Sequence, residues 1–356
     1  MAFKLQLLTN YLGMAFINQT RKTKLYLSML IGLIALNSSS YFMNTDFMNT
    51  ELKLITNITN VLIFTCYSVF FFTSAYIKII RGKFSQPISK YIKHNHKKNT
   101  PTMGGMIFLT SFILSSLYLS KFLHLNANHY LIIILTTLFG FIGLLDDALK
   151  IIRKNNKGIK ASHKFILQIL TSLLTLYAFK QNLDISYLSI IWWTFVINGT
   201  ANAVNLTDGL DGLAASCSLI TITSFSIMHF IKFGPSTDLM INAIIFVAIF
   251  SFLQFNRNPA RIFMGDVGSM SLGAFIAINY LLIGQEWILT LAGIVFVLEA
   301  MSVIVQMISI KLFKRKIFIT TPIHHHFEHY MKEKNITKLF VCFAILVNAL
   351  IILFII

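Results

Sequence analysis

Apolar runs of near-membrane length recur along the chain, each closed by a short polar connection. They are Leu25–Thr45, Ile58–Ile77, Met103–Ser120, His129–Leu145, Phe165–Phe179, Tyr187–Asn198, Leu213–Ile231, Leu239–Phe255, Val267–Ile283, Trp287–Ile310 and Leu339–Ile356. Several are shorter than the ~20 residues of a straight span. Their ends are expected to continue into flanking polar sequence such as Ala201–Asp211. In hydrocarbon every backbone N–H and C=O must be satisfied within its own segment, so all eleven runs are predicted to be helical. The expected fold class is an all-α polytopic membrane protein. Residues 58–356 form its ten-helix membrane unit, and residues 1–57 form an extension with the additional run Leu25–Thr45.

Composition agrees. Hydrophobic residues make up 56% of the chain and charged ones only 12%, about half the share in a soluble domain. A net charge of +17 would suggest nucleic acid in a soluble protein. Here 22 of the 30 lysines and arginines lie in the loops 78–102, 146–164, 256–266 and 311–338. The loops between these carry four, so the charge marks topology, and the basic loops are expected in the cytoplasm. Arg21, Lys22 and Lys24 before Leu25–Thr45 place the N-terminus there too, with eleven spans in all. Met1–Lys24 lacks a cleavable-signal pattern. Cys66, Cys217 and Cys342 lie inside apolar runs, without metal-ligand or disulfide spacing.

The acids are less easily explained. Asp146, Asp147, Asp208, Asp211 and Asp266 all touch the ends of apolar runs on the predicted cytoplasmic face. Carboxylates beside hydrocarbon are costly unless they bind something. The adjacent pair Asp146-Asp147 repels unless a cation sits nearby. Oxygen-rich clusters suit Mg²⁺, which binds through one or two carboxylates plus substrate phosphates. Lys150 shares their helical face, as an ion-pair partner or a phosphate clamp. Asn205, Asp208 and Asp211 recur at i, i+3, i+6 and are expected along one helical face. A helix cap at Thr207 or Asp208 explains only one of the three.

Three further segments carry polar groups into the membrane face. Asn256–Ser269 joins an amide, two arginines, Phe263 and the lone acid Asp266; Phe263 either stacks on a base or faces lipid. Thr321-Pro322 predicts a helix start. His324, His325 and His326 fall in its first turn, where backbone N–H groups favour anions. Consecutive helical residues point ~100° apart, so the three cannot share one zinc, and phosphate contact is the preferred reading. Lys97–Gly105 runs a basic loop into a helix start containing Thr102. Together these segments offer acids for a divalent cation, cations and helix starts for phosphates, and amides with an aromatic for a base. That is the inventory for phosphoryl transfer from a nucleotide diphosphate. Neither a Walker A loop nor G-x-G-x-x-G is present.

Thr100–Gly105, Asp146–Lys150, Asn202–Leu213, Phe263–Ser269 and Pro322–Glu328 resemble the phospho-N-acetylmuramoyl-pentapeptide-transferases, over roughly residues 58–356. The resemblance implies ten core helices, UDP-MurNAc-pentapeptide and undecaprenyl phosphate as substrates, Mg²⁺, and release of UMP at the bacterial inner membrane. It implies metal binding at Asp266 and Asp146, and catalytic roles for Asp146, Asp147, Asp266 and His325. Asp146 is either a base or an orienting and metal-holding group, since a phosphomonoester is largely ionised at pH 7. Lys97, Thr102, Lys150, Asn205, Asp208, Asp211, Asn256, Phe263, His324 and His326 are the implied substrate-binding set. A lipid bilayer is the expected surrounding, nucleic acid is not a partner, and a homodimer is left open. Asn99 stands where the family usually has Gly. The competing readings are a sister GlcNAc-1-phosphate transferase, against which the histidine motif argues, and a transporter. Transporters hold ionisable residues near mid-membrane, where only Glu299 is expected here.

Overall fold

The computed structural model describes residues 50–80, 100–153 and 158–355. Leu25–Thr45, Lys97 and Asn99 lie outside the described residues. Those described form helices without a strand: α1 (Thr50–Ile80), α2 (Gly105–Leu119), α3 (Ala127–Ile152), α4 (Ala161–Ala178), α5 (Lys180–Leu183), α6 (Tyr187–Thr207) and α7 (Leu213–Phe233). Then follow α8 (Thr237–Asn256), α9 (Gly265–Leu282), α10 (Glu286–Ala292), α11 (Ile294–Phe313), α12 (Ile323–Phe327) and α13 (Glu333–Ile355). Each apolar run predicted beyond residue 58 is helical. Seven helices, α1, α3, α7, α8, α9, α11 and α13, are long and apolar enough to cross a membrane.

Three expectations need correction. The run Trp287–Ile310 is not one helix: Gly293 (φ −92°, ψ 25°) separates α10 from α11. Asp146 and Asp147 do not sit in a loop, because α3 continues past them to Ile152 and buries both. Asn205, Asp208 and Asp211 do not share a helical face, because α6 ends at Thr207 and the chain turns.

Local sequence fixes the helix ends. Asn126 starts α3 with a capping box: its side chain accepts from His129 N–H at 3.2 Å, and its own N–H donates to His129 Nδ1 at 2.9 Å. Ser186 accepts from Ser189 N–H at the start of α6. Some polar side chains inside the bundle pair across helices. Gln168 of α4 and Asn202 of α6 exchange two amide hydrogen bonds, and Asn198 donates to Ser172.

The centre is α9, buried along nearly its whole length by α3, α6, α2 and α7. Gly143 brings α3 close against it. A Cβ there would lie 2.3 Å from the Asp266 carbonyl oxygen, so only glycine lets the two backbones meet beside the acids. At the far end of α3, about 25 Å away by helix rise, Asp238 of α8 bridges His129 (3.2 Å) and His229 of α7 (3.5 Å). One carboxylate there joins three helices.

Candidate active site

Three carboxylates converge where α3 meets α9. Asp146 and Asp147 come from the last turns of α3, and Asp266 from the first turn of α9. An oxygen of each lies within 4.8 Å of the others. Two lysines sit among them. Lys150 Nζ is 2.7 Å from Asp146, 3.0 Å from Asp266 and 3.5 Å from Asp147. Lys164, from the first turn of α4, contacts Asp266 and lies 3.7 Å from Asp146. Sequence reasoning missed Lys164, which it counted only as one cation of a basic loop.

Backbone groups complete the frame. Asp146 accepts the Ile159 N–H at 2.6 Å, and Asp147 accepts the Val267 N–H at 3.3 Å. Gly265 takes φ +75° at the start of α9, where a Cβ would lie 2.5 Å from Asp147 Oδ2 and 3.2 Å from Thr102 Oγ1. The left-handed backbone and the crowding both require glycine. Thr102 is thereby brought to the acids; it is buried, and its carbonyl accepts from Tyr76 at 2.9 Å.

The α6–α7 turn approaches the same helix end. Asn205 donates to Ser269 at 2.8 Å. Desolvation, with the nearby charges of Asp266 and Asp147, pushes the Asp208 carboxyl well above the usual carboxylate range. Asp211 faces elsewhere: its carboxylate accepts from Ala260 N–H (2.9 Å) and Asn258 (3.2 Å), and so ties the turn to the 258–260 loop. Asn256 is buried and donates to the Ile262 carbonyl. Phe263 is half-buried, its backbone paired with Pro101 and Gly104.

The histidine helix is held from below. After α11 the chain doubles back along it. Ser309 donates to the Arg315 carbonyl at 2.8 Å, and Gln306 bonds the backbone of Ile317 and Phe318. Glu299, deeper on α11, lies 3.1 Å from His324 Nδ1 and accepts the His324 N–H at 3.3 Å. Glu299 and His324 are both fully buried. His324 is thus packed against Gly209. His325 pairs with Glu328 at 2.7 Å, and His326 accepts the Ile319 N–H at 3.3 Å. Both rings are partly exposed.

This is a helical membrane bundle with a carboxylate–lysine cluster and convergent polar turns at one end. Glycosyl transferase family 4 matches residues 129–284, the stretch from α3 to α9 that supplies Asp146, Asp147, Asp208 and Asp266. The chain is therefore a transferase of that membrane class. It belongs to the phospho-N-acetylmuramoyl-pentapeptide-transferase family. It is 41% identical over 268 residues to the Staphylococcus haemolyticus member, covering 70% of this chain and 83% of that one. The Helicobacter hepaticus member is 39% identical over 320 residues, with 78% and 88% covered. The Listeria welshimeri member is 40% identical over 269 residues, with 70% and 82% covered.

Proposed function

We propose that the chain transfers phospho-MurNAc-pentapeptide from UDP-MurNAc-pentapeptide to undecaprenyl phosphate, giving lipid I and UMP. The site faces the cytoplasm at the bacterial inner membrane. A phosphate oxygen of the acceptor bonds to the sugar-bearing phosphorus, and the bond from that phosphorus to the UMP oxygen breaks. The observation that carries the reading is the carboxylate cluster with its two lysines. Three acids within 4.8 Å, in a site shielded from water, match the hard oxygen ligands that Mg²⁺ prefers. Asp266 and Asp146 would hold the ion, which supplies positive charge to the pyrophosphate oxygens.

The chain's own groups divide the remaining work. Lys150 and Lys164 supply charge where the transferring phosphate carries its own. The acceptor phosphate, with a second pKa near 6, is largely ionised at neutral pH. Asp146, already held by Lys150 and the Ile159 N–H, therefore orients ligands and needs to remove no proton. Asp147 holds the α9 N-terminus in place. Asn205, Asp208, Thr102 and Asn256 frame the donor pocket, and Phe263 stacks on its base. His325 and His326 contact donor phosphate. The test is UMP release from UDP-MurNAc-pentapeptide in detergent with undecaprenyl phosphate, with and without Mg²⁺. Equal release from UDP-GlcNAc would favour the sister activity, and release unaffected by chelation would remove the metal.

A further inference from the structure

A second feature lies between α7, α8 and α13. An apolar groove of about 440 Å³ runs along them, lined among others by Leu219, Ile220, Phe246, Phe250, Val341 and Ile345. Its volume is in the range of ligand sites. All three helices are long and apolar enough to cross the membrane, so the groove opens to hydrocarbon. Phe250 and Ile345 on its rim are about half exposed.

The groove has a charged mouth. On α13 the lining residues Val341, Ile345, Asn348 and Ile352 follow steps of four, three and four, which keep to one helical face. Continued backward, that stripe reaches Lys338 and Lys334, both exposed in the first turns of α13. On α8 the stripe Phe246, Phe250, Leu253 continues to Arg257, exposed, with its N–H on the Leu253 carbonyl at 2.9 Å. Gly212 joins the two edges. A Cβ on it would lie 3.2 Å from Leu253 and 3.4 Å from the Arg257 Cα, while the N–H of Asp211 beside it donates to the Glu333 carboxylate at 2.7 Å. Three cations therefore lie on the continuations of the two stripes, at the end where α8 stops and α13 begins.

We propose that this groove is a binding site for an anionic phospholipid of the bilayer, one acyl chain in the slot and the phosphate among Arg257, Lys334 and Lys338. Charge complementarity names the occupant, since juxtamembrane lysines and arginines attract anionic headgroups. The acceptor lipid is a poorer match. Its phosphate must reach the carboxylate cluster on α3 and α9, whereas α13 packs chiefly on α7, α10 and α11, and α8 on α1, α7 and α2.

The test is native mass spectrometry of the full chain in detergent, titrated with phosphatidylglycerol or phosphatidylcholine. Lys334→Gln/Lys338→Gln should weaken phosphatidylglycerol binding about tenfold or more, the effect of two charges at an anionic surface, and leave phosphatidylcholine unchanged. Ile345→Trp, which fills the slot and keeps every charge, should weaken both lipids. Unchanged phosphatidylglycerol binding in the double variant overturns the proposal. So does displacement of bound phosphatidylglycerol by undecaprenyl phosphate, which would assign the groove to the acceptor. If Ile345→Trp leaves lipid binding intact and shifts the monomer–dimer ratio instead, the proposal falls in favour of a second copy of this chain.

Discussion

Asp266 stands among two acids and two lysines, and the lysines compete with any cation for the same oxygens. Replacing the acid by its isosteric amide removes the charge but keeps the shape. Asp266→Asn should abolish UMP release while the protein still elutes and melts like the wild type; near-normal activity at ordinary Mg²⁺ would take Asp266 out of the metal site. Removing a competing cation has the opposite sign for metal affinity. Lys164→Ala should lower the half-saturating Mg²⁺ concentration on the order of tenfold, with reduced turnover, in a Mg²⁺ titration of the rate. A raised requirement would mean that Lys164 does not share the ion's ligands. The acids were legible because a carboxylate beside hydrocarbon is costly unless something binds it. Lys164 was not, because its partner Asp266 is 102 residues away and nothing local separates it from the other loop lysines.

Glu299 and the doubled-back segment after α11 act as one element. Truncating Glu299 leaves the buried His324 N–H without its acceptor, at a cost of about 1–3 kcal/mol. Glu299→Ala should therefore lower the melting temperature clearly, and Glu299→Gln, which still accepts the His324 N–H, should lower it less. Equal losses in the two variants would mean that the His324 N–H does not need this acceptor. At the start of α9, Gly265→Ala should reduce turnover about a hundredfold, the usual effect of a misplacement near 1 Å, because its methyl group would push on Asp147 and Thr102; unchanged turnover would show that the acids tolerate the shift. Sequence spacing placed the histidines near a helix start but did not reveal that His324 is buried. A carboxylate inside an apolar run reads as a mid-membrane charge until a segment far along the chain is seen to fold back beside it. Likewise i, i+3, i+6 spacing implied a common face only while the helix was assumed to continue past Thr207.

At the scale of the whole molecule, the length of apolar runs was enough to predict every long helix among the described residues. The break at Gly293 was hidden because both sides of it are apolar. Leu25–Thr45 has 21 residues without a charge, and the cations before it predict a cytoplasmic N-terminus. A reporter fused there and active only outside the cytoplasm should be silent; activity would mean that the run does not cross. The burial of α9 carries a further consequence. A helix enclosed by four others cannot turn or slide without repacking them all, so Asp266 is fixed by the core, whereas Lys164 rides on α4, much of whose surface is exposed. In deuterium exchange the amides of α9 should label last and those at the start of α4 early. The enzyme then meets its substrates with an anionic seat fixed in the core and a cationic partner carried on a peripheral helix.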